Sequence, residues 1–69
     1  MSVEIDGVTY YYTKEALNKI GISEATFYRW LKQGEIEDVK HKHSRTGRRL
    51  FTNEDIQHIR NYAHGVTTT

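Results

Sequence analysis

The feature that most constrains this chain is a pair of short apolar-striped segments punctuated by glycine, "KEALNKIGISEATFYRWLKQG", Lys14 to Gly34. Ala16, Leu17 and Ile20 fall at i, i+1 and i+4, one face of a helix that Thr13 is placed to N-cap and Gly21 to end. Two residues later Ser23 offers a second cap, and Phe27, Trp30 and Leu31 at i, i+3 and i+4 give a second helix, from about Glu24 to Gln33, with Gly34 closing it. The expectation is helix, tight turn, helix. Helices this short do not stand alone in water, so the rest of the chain must supply what covers their apolar faces.

That rest is small. With 69 residues the chain is close to the lower size at which one core folds without staples, and it has no cysteine for disulfides or for thiolate zinc ligands. The first segment, "VEIDGVTYYYT", alternates β-favouring residues about Asp6-Gly7, a dipeptide suited to the positive φ angles of a tight hairpin turn. Residues 36–51, "IEDVKHKHSRTGRRLF", alternate on either side of "SRTG" and give a second hairpin with a basic tip. A third helix then starts at Thr52, with Asp55 at capping-box spacing and a buried stripe of Ile56, Ile59 and Ala63. The expected fold is mainly α with small β: three helices, a basic hairpin and a short N-terminal hairpin, in one domain over residues 1–65, with 66–69 a disordered tail. No apolar run approaches the roughly 18 residues of a membrane span, and "MSVEIDG" lacks the basic and apolar regions of a signal peptide, so a soluble, cytoplasmic chain is expected.

The formal net charge of +1 conceals an uneven distribution. Residues 40–49, "KHKHSRTGRR", carry Lys40, Lys42, Arg45, Arg48 and Arg49 without an acid, a local +5, so the remainder sums to −4. Five cations on one short ribbon repel one another unless an anion meets them. On the second helix, a rotation of about 100° per residue separates Phe27, Trp30 and Leu31 from an outer face of Ala25, Tyr28, Arg29 and Lys32. Such a face suits a major groove: Arg and Lys reach phosphates or guanine edges, and Ala25 allows close approach. The helix start offers unpaired N–H groups to a phosphate, with Ser23 and Thr26 adding hydroxyls. Glu24 would repel phosphate there, and is expected to favour the helix dipole or to accept from a cytosine amino group.

Between residues 12 and 62 these features resemble the winged helix-turn-helix of the MerR regulators and the related excisionase-like proteins. The resemblance lies in "YTKEALNKIGIS", "ATFYRWLKQGEI", the wing ending "GRRLF" and "TNEDIQHI". Gly47, Arg49 and Phe51 meet the glycine-x-arginine-x-aromatic wing signature, and Thr52, Asp55 and Ile56 meet the Thr-x-x-Asp-Ile helix start. The resemblance implies DNA binding, with the second helix in the major groove and the wing on neighbouring backbone or minor groove. It also implies phosphate contacts at Thr26, Arg29 and Arg49, and core roles for Phe27, Trp30 and Phe51. Full MerR regulators usually have a basic residue where Tyr28 stands and an aromatic where Arg29 stands, which puts "TFYRW" closer to the excisionase-like branch. They also continue into a long dimerisation helix and an effector-binding region, so no small-molecule effector and no symmetric dimer through such a helix are expected here.

The remaining residues add no competing chemistry. His41 and His43 would project to one face of a strand, but no carboxylate or cysteine completes a tetrahedral set with them, so no metal site is expected and their role is extra, pH-dependent charge on the ribbon. Tyr10, Tyr11 and Tyr12 suit packing against helices better than base stacking. Ser23 and Ser44 lack a base with an orienting acid, so neither catalysis nor a cofactor is expected. The sequence therefore reads as a double-stranded DNA-binding protein, a small transcriptional regulator of MerR-like type. Ser23, Ala25, Thr26, Tyr28, Arg29, Lys32, Lys42, Arg45, Arg48 and Arg49 form the expected contact set. So few reading side chains imply weak binding by one copy, and head-to-tail association on DNA would supply cooperativity. Two other readings remain open: an excisionase-like or terminase-like module of DNA architecture or packaging, and a protein-interaction domain whose basic ribbon docks an acidic partner.

Overall fold

The computed structural model describes residues 2–65. The expected tail at 66–69 lies outside the described residues. Two strands open the chain, β1 (Ser2–Ile5) and β2 (Val8–Tyr12), joined by the Asp6-Gly7 turn. Both turn residues take positive φ, 51° at Asp6 and 80° at Gly7, the backbone that a two-residue hairpin needs and that this dipeptide tolerates. Helix α1 (Thr13–Ile20) follows, then α2 (Glu24–Lys32), a hairpin of β3 (His41–Lys42) and β4 (Arg49–Phe51), and α3 (Asn53–Ala63).

The expected N-cap at Thr13 is corrected. The cap residue is Tyr12, with no side-chain cap hydrogen bond, and Thr13 is the first residue of α1. The cause is non-local: Tyr12 pairs with Leu50, which holds it extended to the end of β2 and leaves no residue between strand and helix. The other boundaries follow local chemistry. Gly21, at φ 93°, closes α1, with its own N–H and that of Ile22 donating to the Leu17 carbonyl. Helix α2 ends one residue short of the expected Gln33, which is its C-cap; Gly34 then donates to Leu31 and Glu35 to Trp30, a Schellman closure around a left-handed glycine. At α3 the capping box forms in both directions: Asp55 N–H donates to Thr52 Oγ1 at 3.0 Å, and Thr52 N–H to Asp55 Oδ2 at 3.1 Å.

The two expected hairpins are joined into one antiparallel sheet of order β1-β2-β4-β3, through Tyr11↔Phe51 and Tyr12↔Leu50. This pairing brings β4 under the helices. Phe27 and Phe51 are fully buried, with ring centroids 5.6 Å apart, and Ala16, Leu17, Ile20, Ile56 and Ile59 close around them. Ile36 and Val39, in the stretch between α2 and β3, complete the core, whereas Trp30, Leu31 and Ala63 pack against it half-buried. One face of α2 is thereby fixed inward and the opposite face outward.

Candidate nucleic-acid interface

The start of α2 is built by its cap. Thr26 N–H donates to Ser23 Oγ at 3.2 Å, and the Ser23 hydroxyl donates to Thr26 Oγ1 at 3.1 Å. The two hydroxyls are thus held side by side at the start of the helix. Glu24 lies in the first turn, where the helix dipole favours a carboxylate. With Phe27 inside, Ala25, Tyr28, Arg29 and Lys32 are all exposed on the other side, so the four expected reading residues share one accessible face. Tyr28 is 43% exposed, with its ring edge-on to Phe27 at 5.2 Å. At the far end of α2, Trp30 meets Tyr62 edge-on at 4.9 Å, and the Tyr62 hydroxyl donates to Glu35 Oε1.

The basic residues divide into two environments. Lys42 and Arg45 are exposed on the β3–β4 hairpin, whose loop is closed from within: His43 Nδ1 accepts from the N–H groups of Arg45 and Thr46, at 3.1 and 3.4 Å, and Gly47 N–H donates to the His43 carbonyl at 2.8 Å. His43 therefore organises the loop as a hydrogen-bond acceptor through Nδ1. Arg48 is exposed too, but its guanidinium lies 3.9 Å from the Tyr12 ring centroid, a cation–π stack at the start of α1. A shallow surface concavity beside this stack is lined by Tyr12, Lys14, Glu15, Asn18 and Arg48.

Arg49 is placed differently from the other cations. Its Nε donates to Asp38 Oδ1 at 2.8 Å and its Nη2 to Asp38 Oδ2 at 3.2 Å, a bidentate ion pair. Asp38 Oδ1 also accepts from Val39 N–H at 2.7 Å. The hydrogen-bonded Arg49 holds the Asp38 carboxyl below the ordinary carboxylate range, and Asp38 in turn raises the Arg49 pKa. The guanidinium lies 5.4 Å from the Tyr28 ring centroid and 5.9 Å from that of Phe27. Of the expected contact residues, then, Ser23 and Thr26 are joined directly, Arg49 is brought to Tyr28, and Arg48 is drawn to Tyr12 instead of extending from the loop. Sequence reasoning missed Asp38 and the roles of Tyr12 and His43. The acids before the basic run were visible, but Asp38 and Arg49 are 11 positions apart and only the folded hairpin makes them partners.

Comparison with protein families gives a model described as MerR HTH family regulatory protein, matching residues 11–64, well over half of the chain. The chain belongs to the MerR helix-turn-helix family. The match runs from the end of the N-terminal hairpin through both short helices and the β3–β4 hairpin to the last turn of α3, so the Gly21 turn between α1 and α2 is the turn of a MerR helix-turn-helix. This is a family of DNA-binding transcription regulators and not of enzymes, and double-stranded DNA is the partner that MerR membership implies. No curated protein and no solved structure gives a significant match. Among the described residues, no helix is long and apolar enough to cross a membrane.

Proposed function

We propose that this MerR-family chain reads the sequence of double-stranded DNA, with α2 in the major groove and the β3–β4 hairpin as a wing on flanking phosphates. The observation that carries this reading is the division of α2: Phe27 anchors it in the core while Ala25, Tyr28, Arg29 and Lys32 remain together and exposed. A major groove about 12 Å wide admits such a helix. The Thr26 hydroxyl and the N–H groups at the start of α2 take a phosphate oxygen, with Ser23 holding Thr26 in place. Tyr28 supplies the contact that depends on sequence, Arg29 and Lys32 track the phosphates along the groove, and Ala25 lets the backbone come close. Lys42, Arg45 and Arg48 hold the wing to the backbone, Arg48 from its stack on Tyr12, whereas Arg49, expected to anchor the wing with them, is engaged by Asp38.

Two substitutions separate reading from anchoring. Arg48→Ala weakens binding to all duplexes alike and makes the salt slope shallower by about 0.9, one phosphate contact. Tyr28→Ala changes the ranking of duplexes in a selection from a random pool. An Arg48→Ala chain with unchanged affinity and slope would remove the wing from the interface.

A head-to-tail contact between copies on DNA belongs to the same proposal. The concavity lined by Glu37, Asp38, Glu54 and Asp55 also holds Lys40 and His58, but its acids outnumber its lysine, so it is opposite in sign to the basic hairpin, and such a heterologous contact repeats along a duplex. Binding to a duplex with two adjacent sites is then steeper in protein concentration than binding to one site, as a mobility-shift titration reads directly; identical steepness excludes the contact.

A further inference from the structure

The Asp38 carboxylate would be repelled by phosphates, yet it holds a basic residue that touches the reading face. Its two oxygens accept three N–H donors, two from Arg49 and one from Val39, and the bidentate fork fixes the plane of the guanidinium as well as its position. Arg49 is rooted in β4 next to the buried Leu50 and Phe51, so the fork ties the stretch between α2 and β3 to the sheet. Beyond Asp38 the guanidinium meets Tyr28. The Tyr28 ring, 43% exposed, is thus flanked by Phe27 and by an arginine that Asp38 holds still.

We propose that Asp38 is a positioning residue for sequence reading: through Arg49 it fixes the Tyr28 ring, and by neutralising Arg49 it withholds a cation from indiscriminate attraction to phosphate. This inference rests on the reading of α2 as the groove-facing helix. Discrimination and general affinity are then set against each other at one carboxylate. A free Tyr28 must be ordered on binding and accommodates more than one base, whereas a free Arg49 binds any backbone.

The test compares wild type, Asp38→Asn, Asp38→Glu and Arg49→Lys by fluorescence anisotropy across salt. The probes are the duplex that wild type enriches from a random pool and a scrambled duplex of equal length. Asp38→Asn is expected to bind the scrambled duplex more tightly, with a salt slope steeper by about 0.9, while the ratio of the two affinities falls about tenfold. Asp38→Glu, which keeps a carboxylate for the fork, restores most of the ratio. Arg49→Lys keeps the charge but loses the fork, so its ratio falls as well; it carries the test if Asp38→Asn proves unfolded by circular dichroism. A purely structural role predicts a lower melting temperature and weaker binding to both duplexes with the ratio unchanged, and that result overturns the inference. A wild-type chain that discriminates normally beside an Asp38→Asn chain that discriminates equally well sinks the inference alone. A wild-type chain that binds neither duplex sinks the groove-helix reading and the inference with it.

Discussion

Phe27 decides which way α2 faces. It is fully buried against Phe51, and its neighbours in sequence, Thr26 and Tyr28, are left to the partly or fully exposed side. Phe27→Ala removes a ring from a packed core, a change that costs about 3–5 kcal/mol. A domain of this size has a total stability of about 3–10 kcal/mol, so the variant loses a large share of it and should melt far below wild type by circular dichroism. The Asp38–Arg49 pair makes a different prediction, because its contribution depends on pH. The folded-state pKa of Asp38 lies below its ordinary value of 3.8, so the pair stabilises the fold above that pH, and the stabilisation is lost as pH falls below 3.8 through the folded pKa. Both side chains are partly exposed, 39% for Asp38 and 27% for Arg49, which keeps the effect small. In thermal melts from pH 6 down to about pH 2, the Asp38→Asn chain should lose less stability than wild type. Parallel acid limbs would show that the pair contributes nothing to folding.

At the scale of elements, both helices of the helix-turn-helix are short, eight residues in α1 and nine in α2, below the roughly 12–15 that an isolated helix needs. Packing and caps hold them. Thr52→Ala removes the Oγ1 that accepts from Asp55 N–H, while the backbone N–H of residue 52 can still donate to Asp55; losing that half of the capping box at α3 should cost about 1 kcal/mol, a drop of about 4–8 °C in Tm. This substitution lies away from the proposed interface, so DNA affinity measured well below Tm should not change. Elements with a chemical signature in neighbouring residues were legible in the sequence: the Asp6-Gly7 turn, the Gly21 stop, the Ser23 cap and the Thr52/Asp55 box each satisfy backbone groups within a few positions. Features that join distant residues were not. Nothing near Thr13 announces that Tyr12 pairs with Leu50, and that pairing moved the start of α1 and joined two hairpins into one sheet. The outward face of α2 was legible from periodicity, whereas the stack of Arg48 on Tyr12 and the fork of Arg49 on Asp38 exist only once β4 is docked.

For the whole molecule, the sheet order β1-β2-β4-β3 places the basic hairpin at one edge of the sheet, with the N-terminal hairpin at the other. The cations of residues 40–49 are thus carried on or beside the β3–β4 end of the sheet, and α2 contributes Arg29 and Lys32. Five cations of the proposed interface, Arg29, Lys32, Lys42, Arg45 and Arg48, have no carboxylate partner among the described residues, and that count sets an expectation for the interaction with a polyanion. The measurement that tests it most directly is fluorescence anisotropy of the chain with a pool of random duplexes across salt concentrations, with the bound duplexes recovered and sequenced. Five phosphate contacts at about 0.9 each give a slope of log affinity on log salt of about −4 to −5, accompanied by an enriched motif. A flat slope, or no binding at low salt, would contradict DNA reading by α2 and the hairpin.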